Sequence, residues 1–230
     1  MAGIIIALQI DNWNQGRQDR EKEQVLLGQL DQEFSAGLSQ LGNKVELRKK
    51  IISSARWLLE RIDAGGRNEE INPDSLTFHL QRTLLGPTFN ANAEGFFLSR
   101  DLSLIRNDSL RVLLADWPNQ LEQLSEDEDI WTTYISTTYQ PFVIEYFPAR
   151  NLFNTTLMDS DVLRRVQLDS LQKSKIPIGT SRKPIRMDEL LDSSDFEDHL
   201  AFAIFFNHLL NVQSRSIEDS IERILEQIES

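Results

Sequence analysis

The chain has 230 residues, 40% of them hydrophobic, and a formal net charge of −12. This hydrophobic content is enough to bury a core, which excludes a disordered chain, and the acidic balance opposes nucleic-acid binding, which needs Lys and Arg to neutralise phosphates. The absence of cysteine excludes disulfides, thiolate metal sites and thiol catalysis.

The first predicted element is an apolar stretch from Ala2 to Ile10, followed by the polar residues Asp11 to Asn14. A helix of this length rises about 13 Å against a hydrocarbon core of about 30 Å, so it is too short to cross a bilayer by itself. A signal peptide would have basic residues before the apolar stretch and a cleavage site after it, and this sequence has neither. Trp13 lies where a membrane helix often has its interfacial aromatic residue.

A very long helix is predicted next. Residues 17–62 contain no proline, and their apolar residues recur with a mean spacing close to 3.5, which is typical of coiled coils and helical bundles. Glycine weakens a helix, so a kink or break is predicted near Gly42, and Gly65 and Gly66 are predicted to end the helix. The predicted inward stripe comprises Leu27, Leu30, Phe34, Leu38, Leu41, Val45, Ile52, Ala55, Leu59 and Ile62.

Two further helices are indicated by capping residues. Asn72 and Pro73 favour the start of a second helix, which Gly86 and Pro87 end. Asn107 or Asp108 caps a long third helix, in which Pro118 predicts a kink or an interruption. The apolar residues of the third helix that are predicted to face inward are Leu110, Leu113, Leu114, Trp117, Leu121 and Leu124.

The remainder is predicted to be an irregular connection and a final helix. The connection covers about 149–192, with a short helix near 161–171 and a small extended element at 176–178. Ser194 and Glu197 form a capping-box pattern that opens the final helix. Its predicted core stripe is Phe196, Leu200, Ala203, Leu210, Ile217, Ile221, Ile224 and Ile228. The fold class is therefore all-α, an elongated helical bundle of about four main helices, the first very long.

No catalytic, cofactor-binding or metal site is predicted. His199 and His208 are nine residues apart on one helix and project to opposite sides, so they cannot share a metal. His199, Asp195 and the nearby carboxylates could supply half of the ligands of a metal site. Pairs of Asp and His four residues apart are, however, common on helix surfaces. The acidic run at 126–129 lacks the spaced oxygens and the glycine of a calcium loop and is interpreted as a solvated face or a bend between helices.

The basic segment KSKIPIGTSRKPIRM is the best candidate for contact with an anionic partner or lipid headgroup. No acidic residue lies between Asp169 and Asp188. Charge balance against the neighbouring acidic helix is the simpler interpretation. The five cations of this possible anionic-partner loop are Lys173, Lys175, Arg182, Lys183 and Arg186.

The stretch GIIIALQIDNWN, residues 3–14, resembles the N-terminal motif of a bacterial family of uncharacterised, single-pass membrane-anchored helical proteins. FFLSRDLSLIRNDSLRVLLADW and SSDFEDHLAFAIFFNHLLNVQ are similar to other parts of that family. The resemblance implies that residues 1–14 are the C-terminal part of a transmembrane helix that begins upstream. The membrane-anchor residues would be Gly3, Ile4, Ile5, Ile6, Ala7, Leu8, Ile10 and Trp13.

The resemblance further implies a bacterial inner-membrane protein whose single helical-bundle domain, residues 15–230, is periplasmic. The preferred hypothesis is a membrane-tethered scaffold, sensor or accessory subunit with no catalysis, whose partners are the lipid bilayer and an unknown protein or a second copy. Two alternatives remain open. One is a metal-binding or enzymatic bundle that uses His199 and nearby carboxylates, and the other is a soluble homodimer in which the N-terminal stretch packs into its partner.

Overall fold

The computed structural model describes residues 2–65, 72–89, 102–158, 178–179 and 181–230, giving only the backbone of 2–12 and 155–158. Every regular element in these ranges is helical, which confirms the all-α class. A 3₁₀ helix spans Leu102–Leu104 and a π-helical turn spans Ile135–Tyr139. The α-helices are α1 (Ala2–Asp63), α2 (Pro73–Thr83), α3 (Asp108–Tyr134), α4 (Gln140–Tyr146), α5 (Ala149–Met158), α6 (Met187–Leu191) and α7 (Ser194–Glu229).

Helix α1 confirms the prediction of a very long first helix. It continues through its glycines, so the break predicted near Gly42 does not occur. Each of these glycines costs only about 1 kcal/mol of helix propensity, which packing overrides. The helix ends as predicted at Gly65, whose φ of +75° is a left-handed conformation that favours glycine.

The predicted inward stripe of α1 is only partly correct, because Leu27 and Leu38 in its first half are half-buried and its second half is shifted by one residue. Leu30, Phe34 and Leu41 are buried, as is Ala55. From residue 44 onward the predicted Val45, Ile52 and Leu59 are only half-buried, and the buried positions are the residues preceding each of them. Adjacent apolar pairs such as Ile51-Ile52 do not fix which member faces inward. The buried residues in this half of α1 are Lys44, Leu47, Arg48, Ile51, Ser54, Ala55 and Leu58.

Both predicted caps are present. The Asn72 side chain accepts a hydrogen bond from the Asp74 backbone N–H at 2.9 Å at the start of α2. Asn107 does the same for the Leu110 N–H at 3.1 Å, so Asn107 rather than Asp108 caps α3. The interruption predicted at Pro118 is absent, because α3 is assigned as one helix from Asp108 to Tyr134.

A π-helical turn follows α3 and was not predicted. Pro141, the second residue of α4, has no N–H to donate to the carbonyl of residue 137, and its ring would clash with that carbonyl in an α-helix. A wider turn relieves this clash. It also keeps residues spaced by four on one side, so that Trp131, Ile135 and Tyr139 are all buried.

The connection predicted as irregular contains helices α5 and α6. Helix α5 packs against α2, and Leu152 is buried. Helix α5 contains two asparagines and two threonines, which have low helix propensity, so its packing rather than its local sequence favours the helix. The helix predicted near 161–171 lies outside the described residues, as do residues 176 and 177 of the predicted extended element.

Helix α7 begins at Ser194 and confirms most of its predicted core stripe. Seven of the eight predicted residues are buried, and Ile228 is half-buried. Several polar residues are buried on the same helix, and apolar periodicity does not reveal these. They are His199, Asn207, Asn211, Ser214 and Ser220.

The chain divides into two compact units. Unit 1 comprises the described residues within 1–40, 90–122 and 216–230, and unit 2 those within 41–89 and 123–215. Helices α1, α3 and α7 each contribute residues to both units. In unit 1, Phe34 packs edge-on against Trp117, and the Asn107 side chain donates to Gln227. The candidate chemistry lies in unit 2.

Candidate functional site

The predicted membrane-anchor residues lie in the first turns of α1. The backbone of residues 2–10 is helical, and Trp13 is 61% exposed with the Arg17 guanidinium 5.9 Å from the centre of its ring. Among the helices that the structure describes, none combines the length and the apolar content needed to cross a bilayer. The transmembrane assignment therefore stays a prediction.

Two cations of the predicted anionic-partner loop contact the end of α4. Lys183 Nζ donates to the Ile144 carbonyl, and Arg186 donates to the Glu145 carbonyl. The last carbonyls of a helix have no intrahelical hydrogen-bond donors, so the two cations supply donors to the C-terminal end of α4. Arg182 is exposed, whereas Lys173 and Lys175 lie outside the described residues.

The acidic run at 126–129 is not a uniformly solvated face. Glu126 and Asp129 are exposed, but Glu128 is 3% exposed and forms an ion pair with the fully buried Arg48. The interpretation of the whole run as solvated was therefore wrong for Glu128. An isolated carboxylate is not buried without a partner, and no sequence spacing relates residue 128 to residue 48.

Arg48 and Glu128 connect several elements of unit 2. Arg48 donates to the Pro87 carbonyl at 3.2 Å and to Ser214 Oγ at 2.7 Å. Glu128 accepts the Phe89 backbone N–H with both oxygens, at 2.9 and 3.0 Å. The pair therefore joins α1, α3 and α7 to the segment 85–89. We refer to Arg48, Glu128 and the buried Lys44 as the buried charge cluster.

Burial dominates the protonation of this cluster. Desolvation raises the pKa of Glu128 to about 7, although Arg48, the Phe89 N–H and Lys44 all favour the carboxylate. Desolvation also lowers the pKa of Lys44. Arg48 nonetheless stays cationic, because a guanidinium is not deprotonated in proteins. The cluster is closed off from solvent and is interpreted as a structural feature.

His199 lies among aromatic rings. Its Nδ1 is 2.6 Å from the Tyr134 hydroxyl, and its ring stacks on Tyr139 with centres 4.9 Å apart. Burial lowers its pKa, against the opposing effects of Asp195 and Asp198. His208 is exposed, which agrees with the prediction that the two histidines project to opposite sides. Within the described ranges, no three His, Asp or Glu side chains are grouped closely enough to hold a metal ion.

An exposed apolar surface lies beside this histidine. Phe205 is 59% exposed and Phe202 45%, and Ile130 is also exposed. The Tyr134 ring is 5.1 Å from that of Phe202, which joins the surface of α3 to that of α7. Along α7 the surface continues in a stripe with a 3-4-3 spacing. We define the aromatic face as Ile130, Tyr134, Phe202, Phe205, Leu209 and Val212.

A shallow, open cavity of about 450 Å³ borders the aromatic face. It follows α3 into the π-helical turn, a feature that occurs often at functional sites. Its lining combines apolar side chains with hydroxyls and one carboxylate: Asp129, Ile130, Thr133, Tyr134, Thr137 and Thr138. Such a surface can bind an apolar side chain and accept hydrogen bonds along its rim.

Comparison with models of known protein families finds no match, and comparisons with curated proteins and with solved structures find none either.

The sequence prediction missed the residues that matter most in unit 2. Arg48 occupies an inward position of α1 between Leu47 and Ile51, which is the signal that could have shown its burial. Phe202 and Phe205 lie in the aromatic-rich segment FAIFF, but the direction of each ring depends on which face α7 buries. The sequence had no signal for the contact between Tyr134 and His199.

Proposed function

We propose that this chain is a non-catalytic helical module that acts through protein contacts and is tethered to a bacterial membrane by the N-terminal end of α1. The observation that supports the protein contacts best is the aromatic face. Monomeric soluble proteins rarely leave several large apolar side chains contiguous and exposed, and such patches are characteristic of interaction sites. Tyr and Phe are also enriched at the centres of interfaces.

A photo-reactive residue at position 205 tests the protein contact. The variant is expressed in cells and illuminated, with the same residue at position 153 as the control, because Phe153 is similarly exposed (42%) on α5. The proposal expects cross-linked products for position 205 that are absent for position 153. Equal cross-linking at both positions, or none at 205, would contradict a specific role of the aromatic face.

The proposed tether is supported by the chemistry of the first helical turns. Residues 2–10 carry apolar side chains with one exception, the backbone there is helical, and the exposed Trp13 marks the change to a polar helix. Trp is enriched at the interface between lipid and water. The resemblance of GIIIALQIDNWN to the anchored family agrees with this proposal.

Membrane fractionation tests the tether. The protein is expressed with its native upstream sequence, and we expect it in a membrane pellet that resists salt and carbonate washes. The triple variant I4N/I5N/I6N should shift the protein to the supernatant, because polar amides are costly in the bilayer. The exposed Val25 provides a control, and V25N should fractionate like the parent. A parent protein that appears only in the supernatant would contradict the tether.

We further propose that the helical domain is periplasmic and that α1, α2, α3 and α7 are the four main helices of an elongated bundle. Protease added to spheroplasts should then digest the domain, whereas a cytoplasmic control protein stays intact. Protection of the domain would reverse the proposed orientation. Small-angle scattering from the purified protein tests the elongated bundle.

A second candidate, a metal-binding or enzymatic site at His199, is favoured by the Tyr134–His199 hydrogen bond at 2.6 Å. A paired tyrosine and histidine can transfer a proton or hold a ligand. Metal analysis of the purified protein distinguishes this candidate. A stoichiometric transition metal that is lost in H199A would favour it over the interaction module.

A further inference from the structure

From the charge around the aromatic face, we infer that its partner is a cationic amphipathic helix. This inference rests on the proposed role of the face as a protein contact and specifies the chemistry of the partner. The relevant surface is the stripe on α7 together with Ile130 and Tyr134.

The α7 stripe has the geometry that accepts another helix. Phe202, Phe205, Leu209 and Val212 are spaced 3-4-3, the spacing that places side chains on one narrow seam. The seam is about 15 Å long, or nearly three helical turns. An amphipathic helix binds such a surface through residues at positions i, i+3 or i+4, and i+7.

The two chain segments that form the face are rich in acidic residues, and the first cation after them on α7 is Arg215. On the α3 side, residues 123–149 of unit 2 contain five Asp or Glu and no Lys or Arg, and one of the five, Glu128, is buried against Arg48. On the α7 side, residues 187–214 contain six Asp or Glu and again no Lys or Arg. Two of these acids are close to the face itself: Asp129 lines the cavity, and Asp198 raises the pKa of Tyr134 after the larger effect of burial.

The acidic residues around the face favour a cationic partner over a second copy of the chain or an anionic lipid surface. A second copy of the chain would bring the same acidic border against itself, and like charges brought together at an interface cost free energy. An anionic lipid surface would be repelled in the same way. A helix with Lys or Arg beside its apolar stripe complements both the seam and its border.

A pair of synthetic peptides tests the inference. Both have about 18 residues, or five helical turns, with leucine at a 3-4 spacing. One carries lysine at the flanking positions and the other glutamate. Binding to the full chain is measured by fluorescence anisotropy. We expect the lysine peptide to bind at least about tenfold more tightly than the glutamate peptide, with the preference decreasing as salt is raised.

Substitutions locate the binding. F202S/F205S should weaken binding of the lysine peptide by about tenfold or more, because interface aromatics carry much of the binding energy. The control F153S, on α5, should bind like the parent. D129K/D198K should reduce the preference for the lysine peptide, whereas E122K, an exposed charge reversal on α3 outside unit 2, should not. Circular dichroism verifies that each variant is folded.

The possible outcomes separate this inference from the proposed function. Equal binding of both peptides, lost in F202S/F205S, would overturn the cationic partner but keep the face as a contact. Binding of neither peptide, together with self-association or vesicle binding that F202S/F205S abolishes, would also overturn the inference. Binding that survives F202S/F205S would show general attraction to an acidic protein and would overturn the inference too. Only the lysine preference that depends on the face supports it.

Discussion

At the level of single residues, we expect substitutions in the buried charge cluster to cause the largest losses in the free energy of unfolding. Arg48 is fully buried and Glu128 nearly so, and together they satisfy the Pro87 carbonyl and the Phe89 N–H. A buried ion pair is not by itself strong evidence of net stabilisation, because desolvating both charges offsets their attraction. Removing one partner is different, since it leaves the other charge buried and uncompensated.

Replacing Arg48 alone should therefore be severe. We expect R48M to lower the free energy of unfolding by about 3–5 kcal/mol, measured by urea denaturation. The double variant R48M/E128M should recover part of this loss, because it removes the uncompensated carboxylate. A loss below about 1 kcal/mol in R48M, or a double variant less stable than R48M, would contradict the importance of the pair.

His199 gives a pH dependence whose sign follows from burial. Its pKa is lowered in the folded protein, mainly by desolvation, relative to an unfolded value of about 6.5. The stability it contributes is thus fully present above about pH 6.5 and is lost as the pH falls through the folded value, because the unfolded state binds the proton more tightly.

The measurement compares the free energy of unfolding of the parent and H199Q across pH 4 to 8. We expect the difference between them to shrink on acidification. Glu128, with its pKa raised to about 7, acts in the opposite direction, its contribution falling as the pH rises, but both proteins contain it and the comparison cancels it. H208Q controls for loss of an exposed histidine on α7. A difference that is constant with pH would contradict the buried neutral His199.

At the level of elements, glycine has opposite roles in α1 and in the segment after α2. A methyl group added at Gly28 would meet nothing within 4 Å, whereas one added at Gly86 would lie 2.7 Å from Cγ2 of Thr132. The first glycine only weakens a helix. The second permits the close approach of two chain segments.

We expect G28A to stabilise the protein by about 0.5–1 kcal/mol, because alanine loses less backbone entropy than glycine in a helix. G86A should instead destabilise by about 1–3 kcal/mol, the usual cost of overpacking against a short branched side chain. Thermal unfolding of both variants measures this. The predictions fail if the two substitutions shift the midpoint in the same direction.

Features of the helices that depend on neighbouring residues were predictable from the sequence, whereas features that depend on tertiary packing were not. Asn72 and Gly65 were correctly identified because a cap and a left-handed C-terminus depend on neighbouring residues only. The shift of the inward stripe from Ile52 to Ile51 was not predictable, because two adjacent apolar residues satisfy the helical period equally well. Helix α5 was missed because its packing against α2, rather than its propensity, stabilises it.

At the scale of the whole molecule, the net charge opposes self-association through the exposed apolar side chains. The chain has a net charge of −12 and a calculated isoelectric point near 4.7. Mutual repulsion at neutral pH opposes association through the aromatic face and through the N-terminal apolar stretch. Lowering the pH towards the isoelectric point removes this repulsion.

We therefore expect self-association to rise as the pH approaches 4.7, observed as increased light scattering at constant protein concentration. F202S/F205S should scatter less than the parent at the same pH, while F153S should resemble the parent. Scattering that does not change between pH 7 and pH 5 would contradict the role of net charge.

The sequence by itself determined the helical class, the great length of the first helix, its end at Gly65 and the cap at Asn72. Each of these depends on local propensity and on the period of apolar residues. Only the tertiary structure decided that Glu128 is buried against Arg48, that Tyr134 contacts His199, and that Phe202 and Phe205 are exposed. Residues up to 80 positions apart meet in these contacts. A helical pattern specifies that one face is buried, but the neighbouring helices determine which charge is paired there and which ring faces solvent.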